Sequence, residues 1–195
     1  MGRPIGSRNQ GFAERREQIA AAMTDKMRRA AGAKASLREL ADAADISVAT
    51  LRHYFTDREG AIRAAFEFFH RKEEPYLAEA RTPTLGDLEG SVRSFLEHVV
   101  DGMRNQGLDE MLLNGLEAGV HHDQLGPSFI TEVLEPMIQS LEARLEAHME
   151  HGDMARANSR HAALFLLSPV LLALFHQDGL CGAQLRPLDL DAMVR

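Results

Sequence analysis

SLRELADAADISVATLRHYFTDREGAI, residues 36–62, is the stretch whose reading decides the fold. Its first part places Leu37, Leu40, Ala41 and Ala44 at i, i+3, i+4 and i+7, one apolar face of a short helix. Asp45 follows where the chain must turn sharply, and aspartate tolerates a left-handed backbone better than most residues other than glycine. Ser47 can cap a new helix, on which Leu51 and Phe55 fall four apart and point inward. Val48, Ala49, Arg52, His53 and Tyr54 remain on the outside, and another helix opens at once with Arg58-Glu59. A short helix with small residues first and cationic or aromatic ones beyond can enter a DNA major groove.

The segment resembles the helix-turn-helix of the tetracycline-repressor (TetR) family of bacterial transcriptional regulators. The likeness lies in Leu40-Ala41, Ile46-Ser47, Thr50-Leu51, Tyr54-Phe55 and Arg58-Glu59, and the motif covers residues 12–72. Asp45 stands where that family usually has glycine, Arg52 where it has an aromatic, Arg58 where it has lysine, and Ala61 where it has leucine. The resemblance implies an all-α fold: an N-terminal three-helix DNA-binding domain, then a C-terminal helical bundle for dimerisation and ligand binding. The expected division is residues 1–11 as a flexible basic arm, 12–57 as the reading head and 58–195 as the bundle, with a helix over 58–80 joining the two.

The DNA-contacting residues that follow are Arg3, Ser36, Ser47, Val48, Ala49, Thr50, Arg52, His53, Tyr54 and Arg58. Arg3 lies in Gly2-Arg3-Pro4, which resembles the core of an AT-hook, where an extended arginine enters a narrow minor groove. Arg58 falls in the first turn of its helix, where unpaired amides and the positive end of the dipole favour a phosphate. Such a contact positions the protein without choosing sequence.

Charge agrees with DNA contact at one end. Residues 1–72 carry 14 Lys/Arg against 9 Asp/Glu, whereas 73–195 carry 8 against 20, so the overall −7 averages two opposite halves. Absent tryptophan, two tyrosines and abundant alanine and leucine favour helices over sheet. The lone Cys181 excludes a disulfide within the chain and suits a reducing cytoplasm. No apolar run follows the N-terminal arginines, so a signal peptide is not expected. The stretch 162–175 reads as too short to span a bilayer, which makes a cytoplasmic protein without a membrane partner the expectation.

Outside the motif, the spacing predicts a first helix over 12–31, packed through Ile19, Met23 and Met27 and ended by Gly32. Ile62, Phe66 and Phe69 form the inner face of the helix from 58 to 80. Leu88, Val92, Phe95, Leu96, Val99 and Met103 make one further stripe, and Met111, Leu112, Leu116 and Val120 another, ending near Leu125-Gly126-Pro127. Ile130 to Leu145 make a third, with a kink expected at Pro136. From Ala162 to Phe175 the chain is apolar nearly all round, which predicts burial on more than one side.

The resemblance implies that this last helix helps form a homodimer, through Leu164, Leu167, Leu171 and Leu174. Paired heads about 34–36 Å apart would read a near-palindromic double-stranded operator. It also implies a pocket for a small-molecule effector of unknown identity, lined by Phe66, Phe69, Phe95, Val99, Met103, Met111, Leu116 and Met137. Release of DNA on binding a small apolar molecule, and repression as the outcome, complete that expectation.

A competing class is an all-α metal-dependent enzyme. Glu67-Phe68-Phe69-His70 is a Glu-x-x-His element of the kind di-iron bundles use twice, but it has no second copy here. His121 and His122 are adjacent and face different sides of a helix, while His148 and His151 are three apart but lack an evident third ligand. No nucleophile motif, phosphate-binding glycine loop or paired catalytic carboxylates stand out. No catalytic residue, metal ligand or cofactor is therefore expected.

Overall fold

A computed structural model describes residues 5–29 and 32–194; Arg3 lies outside them. Helices α1 (Ile5–Met27), α2 (Leu37–Ala43), α3 (Val48–Phe55) and α4 (Arg58–Ala80) come first. After them come α5 (Leu88–Asn105), α6 (Leu108–His121), α7 (Leu125–Phe129), α8 (Glu135–His151), α9 (Ser159–Leu174) and α10 (Leu190–Val194). No strand occurs among the described residues. The fold is all-α, with a helix-turn-helix near its N-terminus and helices thereafter.

Two compact units divide the chain: Met1–Lys72 with Asn114–Val133, and Glu73–Leu113 with Leu134–Arg195. This differs from the division expected at residue 57. The first unit keeps α4 as far as Lys72 and also takes in most of α6, together with α7.

In the first unit, Ile19, Met23 and Met27 are buried as their spacing predicts, together with Leu40, Ala41, Leu51 and Phe55. The Thr24 hydroxyl donates to the Ala20 and Ala65 carbonyls, each at 2.9 Å, and so ties α1 to α4. Helix α1 begins and ends earlier than expected. Beyond its end, Gly32 opens a short 3-10 turn, Gly32–Lys34, rather than forming the helix stop. A Cβ at Gly32 would meet the Lys26 carbonyl oxygen and the Met27 Cα at 2.8 Å, so only glycine fits there. The Asn114 side chain reaches across from α6 and donates to the Met27 (2.7 Å) and Arg29 (3.0 Å) carbonyls. Carbonyls at a helix end lack an intrahelical donor, and the Arg29 carbonyl also accepts from the Gly32 amide at 3.1 Å.

The second unit is fastened by one buried cation. Arg144 of α8 donates from Nε to the Ala80 carbonyl (2.8 Å), from Nη2 to Thr82 (2.8 Å) and from Nη1 to the Ser91 carbonyl and hydroxyl (2.8 and 3.0 Å). Its planar fork thereby joins the end of α4, the connection after it and the start of α5. Burial pushes the guanidinium pKa down, though arginine stays charged in proteins.

The Pro136 kink takes another form. A π-helical turn, Ile130–Leu134, precedes α8, and Pro136 sits in the first turn of that new helix. Proline has no N–H to donate and is tolerated at such a start. The stripe through α6 also splits. Met111 and Leu112 are buried, but Leu116 is 37% exposed and Val120 more so.

At the end of α8, Asp153 accepts from the Gly86 amide (2.9 Å) and pairs with His148 (2.6 Å) and His151 (2.9 Å). These bonds, the Gly86 amide first, hold its pKa well below the usual aspartate range. A depressed folded pKa contributes stability that is present above the unfolded value and is lost as pH falls through the folded one. Asp153→Asn should therefore lower the urea midpoint at neutral pH. The gap to wild type should hold down to about pH 5 and narrow as pH falls through the ordinary aspartate value of about 4 and below. A gap that stayed constant over that range would show that the charge of Asp153 is not what stabilises this corner.

Candidate nucleic-acid interface

The helix-turn-helix is built from two capped helices and a left-handed hinge. Ser36 and Glu39 form a capping box on α2: the Glu39 amide donates to Ser36 Oγ (3.2 Å) and the Ser36 amide to Glu39 Oε2 (2.8 Å). The Ser36 amide holds the Glu39 pKa below its ordinary value. Asp45 adopts φ 51° between the helices, the role expected of it where glycine is usual in the resembling family. Ser47 then caps α3, accepting from the Thr50 amide at 3.0 Å, while the two hydroxyls lie 2.9 Å apart. Thr56, just past α3, also has a positive φ of 68°, which is uncommon for a β-branched residue and had no signal in the sequence.

With Leu51 and Phe55 buried, the rest of α3 faces outward. Ala49, Thr50, Arg52 and His53 are exposed, and Val48 and Tyr54 are half-buried. Phe12 of α1 stacks on Tyr54 (centroids 4.7 Å, planes 26° apart) and meets His53 edge-on at 5.7 Å. The Arg16 guanidinium lies 5.1 Å from the centroid of the Phe55 ring. These contacts fix the roll of α3, and so decide which side chains project from it. Phe12 and Arg16 are positioning residues that the motif alone does not single out.

Arg58 is placed otherwise than expected. Its Nε donates to the Ala35 carbonyl at 2.8 Å, its Nη1 lies 3.6 Å from Glu59, and the side chain is only 23% exposed. Asp57 accepts from the Gly60 amide at 2.7 Å, so a carboxylate already occupies the start of α4 where a phosphate was expected. Arg58 thus ties the connection that leads into α2 to α4. The cation left pointing outward from α3 is Arg52.

The residues expected to line a pocket are distributed over both units. Phe66, Phe69 and Leu116 fall in the first; Phe95, Val99, Met103, Met111 and Met137 fall in the second. All except Leu116 are buried as core. Phe66 packs on Phe129 of α7 (5.8 Å between centroids), and Phe69 meets the Arg28 guanidinium at 5.6 Å. Flexible methionines and phenylalanines at helical spacing fill a core as readily as they line a cavity, which explains the difference.

The set expected at a subunit contact divides by face. Leu167 and Leu174 are buried inside their own unit and cannot meet a partner, and Leu171 is half-buried. Leu164 is 38% exposed, and the outward residues beside it are Phe165 (81%) and Leu172 (68%). An all-round apolar pattern does not show which side the unit itself covers. Ser159–Gly179 is also longer than the expected apolar stretch. An 18-residue window within these 21 residues has a mean hydropathy of 1.4, enough by length and composition to cross a membrane. However, Ala163, Leu167, Val170, Ala173 and Leu174 are buried within the unit, as in the core helix of a bundle.

Three of the candidate histidines are otherwise engaged. His148 and His151 both turn Nδ1 to Asp153, and His70 lies 2.8 Å from Glu132, not from Glu67 of its own motif. Among the described residues, no three His, Cys, Asp or Glu side chains are grouped so as to hold a metal ion.

As a class, the chain is an all-α helix-turn-helix protein with a C-terminal helical region, and its fold is that of the TetR-family regulators. A protein of Mesorhizobium loti MAFF303099, described as a TetR-family transcriptional regulator, superposes with a TM-score of 0.69 at 19% identity, over 84% of this chain and 85% of that one. GusR of Salmonella enterica superposes at 0.63 with 23% identity, over 83% and 82%. No protein-family model matches the chain, and no curated protein matches it in sequence.

Proposed function

We propose that the chain is a DNA-binding transcriptional regulator of the TetR family, acting as a homodimer on a near-palindromic operator. The observation that carries this reading is α3 itself, capped by Ser47 and anchored by Leu51 and Phe55, with Ala49, Thr50, Arg52 and His53 outward. A single helix buries too little to read a site tightly, so two heads one helical turn apart are required. The exposed Leu164, Phe165 and Leu172 of α9 supply an apolar face for the second copy. The reading is completed by a small effector that releases DNA, by repression as the outcome and by a cytoplasmic location. Arg3 adds a minor-groove contact, and no chemistry is catalysed.

Selection of bound duplexes from random DNA tests the core of this reading. The expected product is a two-fold site whose half-sites lie about 10 base pairs apart or a multiple of that, bound in a salt-dependent way. Selection that enriches nothing would overturn it. Leu172→Asp should give a monomer by sedimentation and weaken operator binding by at least about 100-fold, because burying an unpaired charge costs several kcal/mol. A folded variant that stayed dimeric would remove Leu172 from the interface.

A further inference from the structure

Within the first unit, Arg16 of α1, the end of α3, the start of α4 and Ser128 of α7 border a cleft of about 460 Å³. That volume falls in the range of small-molecule sites, but most such sites are apolar and this one is mainly polar. Arg63 of α4 stands on its wall, half-buried and without a hydrogen bond or ion pair among the described residues. Glu67, one turn further on and the natural partner for Arg63, lies instead 3.8 Å from Arg16, too far for a hydrogen bond. The cleft therefore holds two guanidiniums against one loosely paired carboxylate. Two arginines in one cleft repel each other, and an oxyanion that both forks can reach relieves that repulsion. Thr56, with its uncommon φ of 68°, and Ser128 bring hydroxyls to the same walls. The cleft follows α4 from Gly60 to Glu67, beside the C-terminal end of α3. It is thus remote from the Val48–Thr50 end of α3, where a recognition helix meets base edges.

We propose that this cleft binds a small polar phosphomonoester, its phosphate on Arg63 and Arg16. The phosphate competes for Arg16 with the Phe55 ring, over which that guanidinium sits, and so acts on the roll of α3. The binding itself needs no DNA. Only its consequence, a change in operator affinity, rests on the regulator reading.

Calorimetry on the full chain with ribose 5-phosphate, inorganic phosphate and ribose tests the site. Ribose 5-phosphate should bind, inorganic phosphate should compete with it, and ribose should not bind. Arg63→Met should cut ribose 5-phosphate affinity about tenfold or more. Its melting temperature should match wild type, because Arg63 leaves no partner behind. Glu67→Gln removes the cleft's carboxylate and should tighten binding. Failure of both phosphates to bind, or an Arg63→Met variant that binds ribose 5-phosphate as wild type does, would overturn the proposal. Duplex DNA of random sequence separates a free phosphate from one in the DNA backbone. Without added ligand, Arg63→Met should leave duplex affinity within about twofold and its salt slope unchanged. A slope lower by about one unit would make the cleft a backbone contact and remove the free ligand. If ribose 5-phosphate binds as expected while selection from random DNA enriches nothing, the site stands and the regulator reading fails. If an operator is found but its affinity ignores the ligand, only the coupling through Arg16 fails.

Discussion

Gly60→Ala is expected to abolish DNA binding by dislocating the end of the recognition helix. A Cβ at residue 60 would lie 2.2 Å from the Phe55 carbonyl oxygen and 3.1 Å from Asp57 Oδ1. The first obstacle is backbone and belongs to the last residue of α3, so no rotamer change relieves it. Either α4 must start elsewhere or the Phe55 peptide must turn, and Phe55 is a buried anchor of the head. Overpacking of this kind costs about 3 kcal/mol at the upper end of its usual range. The variant should melt earlier, and fluorescence anisotropy with the selected operator should show loss of affinity. Gly11→Ala is the matched control: it lies in α1, where a Cβ meets nothing within 4 Å. That change should be neutral or stabilise by up to about 1 kcal/mol. If the two variants behaved alike, the close approach at Gly60 would not be what fixes the α3–α4 corner.

The second large effect is expected at Arg144. Arg144→Met keeps the stem but removes a donor from the Ala80, Thr82 and Ser91 carbonyls, of which Ser91 lies inside α5 and keeps its helical donor. At about 1 kcal/mol for each of the three bonds lost, the loss is about 3 kcal/mol. For a chain of this size that corresponds to about 6–12 °C in melting temperature, read by circular dichroism. Arg144→Lys separates charge from geometry. A single ammonium cannot reach three carbonyls that a planar fork meets together, so lysine should recover little of the loss. Full recovery by lysine would show that charge alone holds this part of the bundle.

Neither residue was legible in advance. Gly60 reads as an ordinary helix residue, and Arg144 as one arginine among the glutamates of an amphipathic helix. Their importance comes from backbone brought close by the fold, which no periodicity reports. The same holds at Arg58. A first-turn arginine suggests a phosphate contact, but the Ala35 carbonyl, 23 residues away in sequence, takes its Nε instead. The chain from Asn114 to Val133 likewise reads as bundle, yet it clusters with the reading head through Asn114 on the end of α1 and Phe129 on Phe66.

The local signals did carry through. Ser47 before an apolar pair four apart, Asp45 at the hinge and Leu40-Ala41 inward all act over a few residues, where capping and helical period decide the outcome. The sequence by itself therefore determined the helix-turn-helix, its inward anchors and the outward face of α3. Tertiary structure alone decided which apolar side of α9 stays exposed, because Leu164, Leu167, Leu171 and Leu174 are chemically alike. Only the packing of the rest of the unit covers Leu167 and Leu174 and leaves Leu164 and Leu172 outside. It also decided that Phe66 and Met111 fill a core while a cleft opens beside Arg63, since a cavity is the space that neighbouring elements fail to fill.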